Sequence, residues 1–460
     1  MALASTAPLE AVDLAVRRAV GATSAWQEAL RRTPGTAAGH APLGQHRSVA
    51  GKTAFDALRV RVLVSQDEAL RVALCRWIGA LTVLRVTEDE RAEEADVEAE
   101  KTALVHLEEV EKTSFADAWK GLVRSRNAAE ASAWLGALQE RGPAVAAVRR
   151  ERGVREEEAV RRLGFATWDE LASGAKAGAL DVAALAFLTE TRDLAVAMRR
   201  EAERRGGGEA RAGTFAGVVH EATGRDAPEG WPARLTLRTL VETLGAPEDI
   251  GRGLRIDVAL PEAVGAASFA RALESFGVAY RRAAAVASTL PFALAVDPYF
   301  VDASRFGLAF GALPTEIAYQ RRLGLGAARA AHQARSLTKV ALLHARGIAM
   351  SSLLARDAAR PDRSRFQELV HDVYGEAVPE GLSGAFPRAR GDEHARLQAL
   401  LTTLSFTSVL RDQFEEDWFR NPHAWRFLRA RASGPARGPE EEEEKADPVA
   451  LARAFEEALG

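Results

Sequence analysis

The chain has 460 residues, of which 47% are hydrophobic and 27% are charged. This is the composition of an ordinary globular protein, and it excludes a chain that is disordered throughout. The 61 basic and 64 acidic residues are interspersed and give a net charge of −3. That balance excludes a broad electrostatic attraction to nucleic acid or to an anionic membrane.

Residues 1–50 predict an N-terminal helix followed by a polar loop. Glu10 and Asp13 interrupt the first apolar segment, so it lacks the apolar core of a secretory signal. No later stretch approaches the roughly 18 uncharged apolar residues that a transmembrane helix needs. We therefore expect a cytoplasmic protein.

Residues 51–205 predict a first helical lobe, because apolar residues recur at three- and four-residue spacing. The clearest helical segment, 55–86, contains Cys75, the single cysteine of the chain. A single cysteine excludes an intrachain disulfide, and its apolar surroundings fit a buried structural thiol. Residues 87–112 are rich in glutamate and predict an acidic helix that faces solvent.

Residues 206–432 predict a second helical lobe, which begins at the glycine-rich run RRGGGEARAG, 204–213. The run GLRIDVAL at 253–260 is the best strand candidate. Residues 433–460 predict a charged linker and a terminal helix that packs weakly or binds a partner, and the fold is not expected to need this tail. The predicted fold is all-α: a large helical body with two lobes around a cleft, and at most a very small β element near residues 253–260.

Metal ligands are not spaced as a zinc site requires. Such a site needs two ligands on one helical face and a third from elsewhere. The nine histidines include no pair four residues apart, so H-E-x-x-H and its inverse are absent. His332 and His344 are twelve residues apart, which turns them about 120° away from each other on a helix. No catalytic residue, metal ligand or cofactor is predicted.

Several passages occur in an order that is typical of one family of helical peptidases. They are EEAVRRLGFATWDELASG near residue 160, then VVHEATGRDAPEGWPARLTLRTLVETLG, then GLRIDVALPEAVGAASFARALESF, and finally SFTSVLRDQFEEDWFRNPHAWRFLRARASGP at 405–435. The last passage contains DWFRNP at 417–422, an acidic-Trp-aromatic-Arg-Asn-Pro motif. Across residues 55–435 the chain resembles the thimet oligopeptidase and oligopeptidase F group of M3-type zinc metallopeptidases. The resemblance implies helices packed around a long channel.

The resemblance also implies a place for the zinc-binding helix, at residues 306–319, which read FGLAFGALPTEIAY. The first histidine, the glutamate and the second histidine of the family motif would fall at Phe310, Gly311 and Pro314. None of these side chains can bind zinc. The third ligand, a glutamate, would fall at 332–339, which read HQARSLTK and contain none. The resemblance therefore indicates a degenerate member without the zinc motif, and Pro314 predicts a break in the helix.

The expected function is non-catalytic: an inactive peptidase homologue binds a peptide or protein segment in the cleft, or pairs with another subunit such as an active paralogue. Nucleic acid and membrane are not expected partners. Two alternatives stay open. One is an active metal-dependent hydrolase with a dispersed site, and the other is a structural helical scaffold without a functional cleft. The cleft candidates are Phe310, Glu316, Tyr319, His332 and His344, of which Glu316, His332 and His344 would form the dispersed metal site.

The aromatic residues of the passage 405–435 are predicted to be structural. Phe414 and Trp418 are four residues apart and would share one helix face. Asn421 and Pro422 would end that helix and start another. The residues expected to anchor these helices in the core are Trp418, Phe419, Trp425 and Phe427.

Overall fold

The structure, a computed structural model, describes residues 7–32, 42–61, 67–89, 104–107, 110–124, 128–173, 178–205, 229–251, 253–258, 260, 265–357, 359–375, 378–386, 392–436 and 447–460. Helices make up most of these ranges, which confirms the predicted all-α class. Most of the glycine-rich run at 204–213 lies outside the described residues.

The helices of the first predicted lobe place one apolar face in the core. In α3, the side chains of Leu74, Trp77, Ile78 and Leu81 are buried, and their three- and four-residue spacing puts them on one face. The helices described up to residue 205 are α1 (Leu9–Arg32), α2 (Lys52–Arg59), α3 (Glu68–Asp89), α4 (Phe115–Arg124), α5 (Ala128–Arg162), α6 (Trp168–Ser173), α7 (Ala179–Glu190) and α8 (Arg192–Arg205).

The helices of the second predicted lobe begin at polar caps in several cases. Thr236 forms a capping box at the start of α9, and the Asp362 side chain accepts from two backbone N–H groups at the start of α15. These caps satisfy donors that a helix cannot satisfy internally. The helices described after residue 205 are α9 (Leu237–Leu244), α10 (Ala266–Val286), α11 (Phe292–Ala295), α12 (Val301–Gly311), α13 (Ile317–Arg322), α14 (Ala327–Arg356), α15 (Arg363–Tyr374), α16 (Glu393–Phe414), α17 (Pro422–Ser433) and, in the predicted tail, α18 (Pro448–Leu459).

A short antiparallel hairpin joins β1 (Leu104–Leu107) to β2 (Val110–Ser114). It occupies part of the segment predicted as an acidic helix, so that prediction is wrong at residues 104–107 and 110–112. Valine and threonine in VHLEEVEKTS favour strands, and the glutamate-rich composition hid that preference.

Near residues 253–260, where at most a very small β element was predicted, none of the described residues belongs to a strand. Leu254, Ile256 and Leu260 instead pack against the core of the second lobe. The alternation of apolar and polar residues arises because one side of the segment faces the core. A strand would also need a neighbouring strand to receive its backbone hydrogen bonds, and β1 and β2 pair with each other.

Three clusters of buried apolar residues hold the helices together. The largest includes Leu138 and Phe187 from the first predicted lobe and Met350 and Leu397 from the second. A second cluster is built mainly from α1, α2, α3, α5 and α6, and a third mainly from α9, α10, α12, α16 and α17. The largest cluster therefore joins the two predicted lobes through one continuous core.

The helices α10 and α12 approach each other closely at two glycines. A Cβ atom on Gly277 would lie 2.5 Å from the carbonyl oxygen of Phe306. A Cβ atom on Gly307 would lie 2.9 Å from the carbonyl oxygen of Glu274. Since real Cβ contacts are not this short, the two backbones can meet only where a side chain is missing.

The terminal helix α18 packs against α7 and α14. Leu451 and Ala452 are buried, and the Phe455 ring lies 6.2 Å from that of Phe187. The terminal helix therefore packs on the body, and the expectation that the fold does not need the tail stays a prediction. The charged linker lies mostly outside the described residues. In the described ranges, no helix is both long and apolar enough to cross a bilayer.

Candidate functional site

A buried carboxylate, Asp302, is surrounded by arginines at the start of α12. Its Oδ2 atom accepts from Nε of Arg281 at 2.6 Å. Its Oδ1 atom accepts from Arg305 at 3.3 Å and from Arg431 at 3.2 Å. The Asp302 side chain is 1% exposed, and that of Arg305 is 0% exposed. The cluster ties α12 to α10 and to α17.

These arginines also bind the backbone and side chains around them. Arg281 donates to the carbonyl oxygens of Ala295 and Ala432, and Arg305 donates to the hydroxyl of Thr402. A buried charge is tolerated when it is paired and hydrogen-bonded in this way. The cluster does not fit a metal site, because guanidinium groups are donors and cannot act as zinc ligands.

The segment implied to hold the zinc helix is broken. Helix α12 ends at Gly311, a 3₁₀ turn spans Leu313–Thr315, and α13 begins at Ile317. Pro314 lies inside that turn, which confirms the predicted break. The Phe310 side chain is fully buried and stacks on Trp425 with ring centroids 5.5 Å apart. As a cleft candidate Phe310 is therefore wrong, because it is a core residue.

Tyr319 and Glu316 are held by partners of their own. Tyr319 is buried, and its hydroxyl donates to Thr243 Oγ1 at 3.0 Å, so it lines no cleft. Glu316 forms an ion pair with Arg411. Burial raises the pKa of Glu316, and Arg411 offsets part of that effect.

The two candidate histidines, His332 and His344, lie in surroundings that differ from each other and from those of Glu316. His332 is exposed on α14, whereas His344 lies beside Arg396. Within the described residues, no three histidine, cysteine, aspartate or glutamate side chains form a group that could hold a metal ion. The dispersed metal site of Glu316, His332 and His344 is therefore not assembled.

Arg396 of α16 bridges α10 and α14 through a polar cluster. It donates to Oε1 of Glu274 at 2.6 Å and lies 3.4 Å from Nε2 of His344. Burial lowers the pKa of Arg396, but the carboxylates of Glu274, Asp392 and Glu393 raise it by more, so its net pKa is raised. The group stays cationic and holds three helices together in a partly buried position.

A second histidine, His394, lies two positions before Arg396 in α16. Its Nδ1 atom and the Oγ atom of Ser352 are 2.8 Å apart. This pair lacks the exposure of a catalytic serine and base, because Ser352 is 0% exposed. Its position links α14 to the first turn of α16.

A cavity of ≈ 110 Å³ opens near the same turn of α16. It is bounded by α5, the C-terminal end of α14, the start of α15, the turn at 383–386 and the first residue of α16. Helix α5 belongs to the first predicted lobe and the other walls to the second. The cavity therefore lies where the two predicted lobes meet.

Charges of both signs line the cavity. Arg149 donates to the carbonyl oxygen of Ala385 at 2.5 Å, and Arg152 pairs with Glu156 at 2.9 Å. The third arginine, Arg150, is exposed. The carboxylates in the wall are Glu156, Asp357, Asp362 and Glu393.

Among the carboxylates that line the cavity, Asp357 has a shifted pKa. Burial raises the pKa of Asp357, and the nearby Arg365 and Arg356 offset part of that effect. Its Oδ2 atom lies 3.3 Å from Nε of Arg365, yet it accepts no hydrogen bond from the described residues. Ser383 Oγ, also in the wall, is buried and has no hydrogen-bond partner there either.

Sequence reasoning missed the Asp302 cluster and the cavity. The available indication was charge inside apolar runs, as in VAYRRAAAV around Arg281 and YFVDASRFG around Asp302. Such a charge has to be paired when it is buried. Nothing local predicts the cavity, because the contact from Arg149 to Ala385 spans 236 positions.

Cys75 is a partly buried free thiol in α3. It is partly buried and packs against the N-terminal cluster, as predicted for a structural thiol. Burial raises the pKa of Cys75 to about 11, so the thiolate that a nucleophile needs is scarce at neutral pH.

Two solved structures match the chain over most of its length. PZ peptidase A with inhibitor 2 gives a TM-score of 0.58 at 13% identity, covering 89% of this chain and 83% of that chain. A protein described as an oligoendopeptidase F from Bacillus anthracis str. Ames gives 0.57 at 12% identity, covering 89% and 82%. No family model and no curated protein matches the sequence. The chain thus has the helical fold of M3-type metallopeptidases.

Proposed function

We propose that the protein is a non-catalytic, peptidase-like protein that binds a peptide or protein segment. The segment comes from a free peptide or from another subunit, since both present the same chemistry. The similar solved structures are peptidases by name, and a fold that surrounds peptides can keep binding after its catalytic groups are lost.

The observation that carries the binding proposal is the cavity between α5 and the second predicted lobe. It combines apolar walls with charges of both signs and with a buried hydroxyl, Ser383 Oγ, that has no hydrogen-bond partner in the described residues. A concave, mainly apolar site with a few convergent polar groups is the usual form of a ligand site.

The side chains at the positions of the implied zinc site support the absence of catalysis. The positions that the resemblance assigns to the zinc motif hold Phe310, Gly311 and Pro314, and Phe310 is a core residue. Glu316, His332 and His344 do not form a metal-binding group. The hydrolase alternative is therefore not favoured, and the scaffold alternative gives the cavity no role.

A pool of synthetic octapeptides tests the proposal by thermal unfolding. A ligand that binds the native state raises the melting temperature by mass action, so we expect a rise that grows with peptide concentration. Ala355 lines the cavity, and Ala355→Trp should abolish the rise by filling it. Ala328→Trp, at an exposed position of the same helix, is the matched control and should keep it. No rise with any peptide would contradict the proposal.

A further inference from the structure

The cavity wall contains two ion pairs that are already complete within the protein. Arg152 pairs with Glu156 at 2.9 Å, and the Asp357 carboxylate lies 3.3 Å from Nε of Arg365. Arg356 also acts on Asp357 and offsets part of the effect of its burial. A charged group on a ligand would find no free countercharge at these two pairs, and burying that charge would be unfavourable.

Three further charged groups of the wall are satisfied by the backbone or by a helix end. Arg149 donates to the carbonyl oxygen of Ala385, and the Asp362 carboxylate accepts from two backbone N–H groups at the start of α15. Glu393 is the first residue of α16, where the helix dipole favours a carboxylate. Its charge also raises the pKa of Arg396. The wall therefore favours an uncharged ligand.

The hydroxyl of Ser383 is the polar group of the wall that a ligand can satisfy. Its Oγ atom is buried and has no hydrogen-bond partner among the described residues. Buried polar atoms are almost always hydrogen-bonded in folded proteins. A serine hydroxyl can donate as well as accept, and it carries no charge. It therefore suits a neutral partner such as a backbone amide, and it does not select an ion.

The apolar part of the wall has room for one side chain of moderate size. Leu354, Phe366 and Phe386 line the cavity, and the Phe386 ring is stacked on Trp119 with centroids 5.0 Å apart. The volume is ≈ 110 Å³, whereas an apolar cavity of about 150 Å³ holds one benzene molecule. A branched aliphatic side chain fits this space, and an indole does not.

One side of the cavity reaches solvent. Arg150 and Asp362 line it there, and both are exposed. The charge of Arg150 is therefore solvated and is not presented to a buried group. A polypeptide whose side chain enters the cavity can continue out of it on this side.

We infer that the cavity binds one uncharged, branched apolar side chain of the bound segment, of the size of leucine. The Ser383 hydroxyl hydrogen-bonds to a backbone amide next to that side chain. This inference rests on the proposed function and assigns which type of residue the protein recognises. Free leucine carries the same side chain and is the second source to be distinguished.

Three small probes test the choice of side chain: N-acetyl-L-leucinamide, N-acetylglycinamide and N-acetyl-L-lysinamide. Binding to the full chain is measured by ligand-observed NMR or calorimetry. The three share their amides and differ in the group that enters the cavity. We expect the leucine probe to bind at least about tenfold more tightly than either of the others, a difference of about 1.4 kcal/mol. Equal affinity of the leucine probe and either other probe, or no binding of the leucine probe, would overturn the inference.

Two further probes test the size of the cavity and the source of the ligand. N-acetyl-L-tryptophanamide is more apolar but too large, so it should bind more weakly than the leucine probe. Tighter binding of the tryptophan probe would contradict the assigned size. L-leucine lacks the amides and brings two charges to a wall that is already compensated, so it should also bind more weakly. Tighter binding of L-leucine would overturn the assignment to a peptide segment.

Two variants connect binding to the wall. Ala355→Trp fills the cavity and should abolish binding of the leucine probe, whereas Ala328→Trp, exposed on the same helix, should not. Ser383→Ala removes the hydroxyl and should weaken binding at least about threefold. Ser336→Ala, at an exposed position of α14 outside the cavity, should leave it unchanged. Normal affinity in both wall variants would contradict the inference, and Ser383→Ala decides alone if Ala355→Trp does not fold.

The failure of this inference differs from the failure of the proposed function. Octapeptides of one sequence that carry leucine, lysine or glycine at a single central position separate the two by thermal unfolding. We expect the leucine peptide to raise the melting temperature most. If all three raise it equally, the protein binds peptides but the inference fails. If none raises it, the proposed function fails as well.

Discussion

Arg281 donates a hydrogen bond to Asp302 at 2.6 Å in a position where both side chains are almost fully buried. The same guanidinium reaches the carbonyl oxygens of Ala295 and Ala432, so one side chain connects α10 with α11, α12 and α17. The pair takes part in a network with Arg305 and Arg431. Its loss would leave several positive charges buried and close to one another.

Asp302→Ala should therefore lower the free energy of unfolding by about 3–5 kcal/mol, because it leaves buried arginines without their carboxylate. Urea denaturation followed by circular dichroism measures the change. Asp412→Ala, at an exposed position of α16, is the control and should stay within about 0.5 kcal/mol of the original chain. A loss below about 1 kcal/mol for Asp302→Ala would mean that the network behaves as a surface ion pair does.

Gly277→Ala should destabilise the contact between α10 and α12. The added methyl group would meet backbone atoms of Phe306 and Gly307, and such overpacking typically costs about 1–3 kcal/mol. Gly136→Ala is the matched control in α5, where an added Cβ atom meets nothing within 4 Å. Alanine is the better helix former, so this control should be neutral or stabilising. Equal effects of the two substitutions in denaturation would contradict the close approach.

Replacing Trp418 or Trp425 by alanine should lower the free energy of unfolding by about 3–5 kcal/mol. They are 2% and 4% exposed, and the indole of Trp425 donates to the carbonyl oxygen of Phe419 at 2.7 Å. Chemical denaturation measures the lost free energy of unfolding. Trp231→Ala, at a less buried position, is the comparison and should lose less stability. Unchanged stability of Trp418→Ala and Trp425→Ala would show that these side chains are not core anchors.

The packing of the terminal helix α18 should stabilise the fold. Leu451 is 7% exposed in the face that packs on α7 and α14, so Leu451→Ala should cost about 2–3 kcal/mol. Arg453→Ala changes an exposed residue of the same helix and should have little effect. If thermal melting shows the same temperature for both variants, α18 contributes nothing to the fold.

The helical class could be predicted because apolar residues recur with the period of a helix, and burial follows that period in α3. Burial of Trp418, Phe419 and Trp425 was also predictable from large aromatics near a helix boundary. Their local geometry was not: α16 ends at Phe414, and Trp418 lies in a 3₁₀ turn. The two residues therefore share no helix face, because the chain turns at Glu415, whose φ is 70°.

The cluster around Asp302 was harder to predict because its contacts join residues that are distant in sequence. Arg281 and Asp302 are 21 positions apart, and Arg431 and Asp302 are 129 apart. Helical periodicity places each residue on a face but does not say which helix that face meets. Phe310 and Tyr319 are core residues, whereas His332 is exposed on α14 and His344 lies in a partly buried polar cluster.

The central claim, binding without catalysis, is tested most directly by incubating the purified chain with the octapeptide pool and recovering the peptides for mass spectrometry. Zinc in the same sample is counted by elemental analysis. The account predicts that the pool raises the melting temperature, that the peptides are recovered intact, and that zinc is far below one ion per chain. Cleaved peptides together with stoichiometric zinc, both lost after treatment with a chelator, would contradict it.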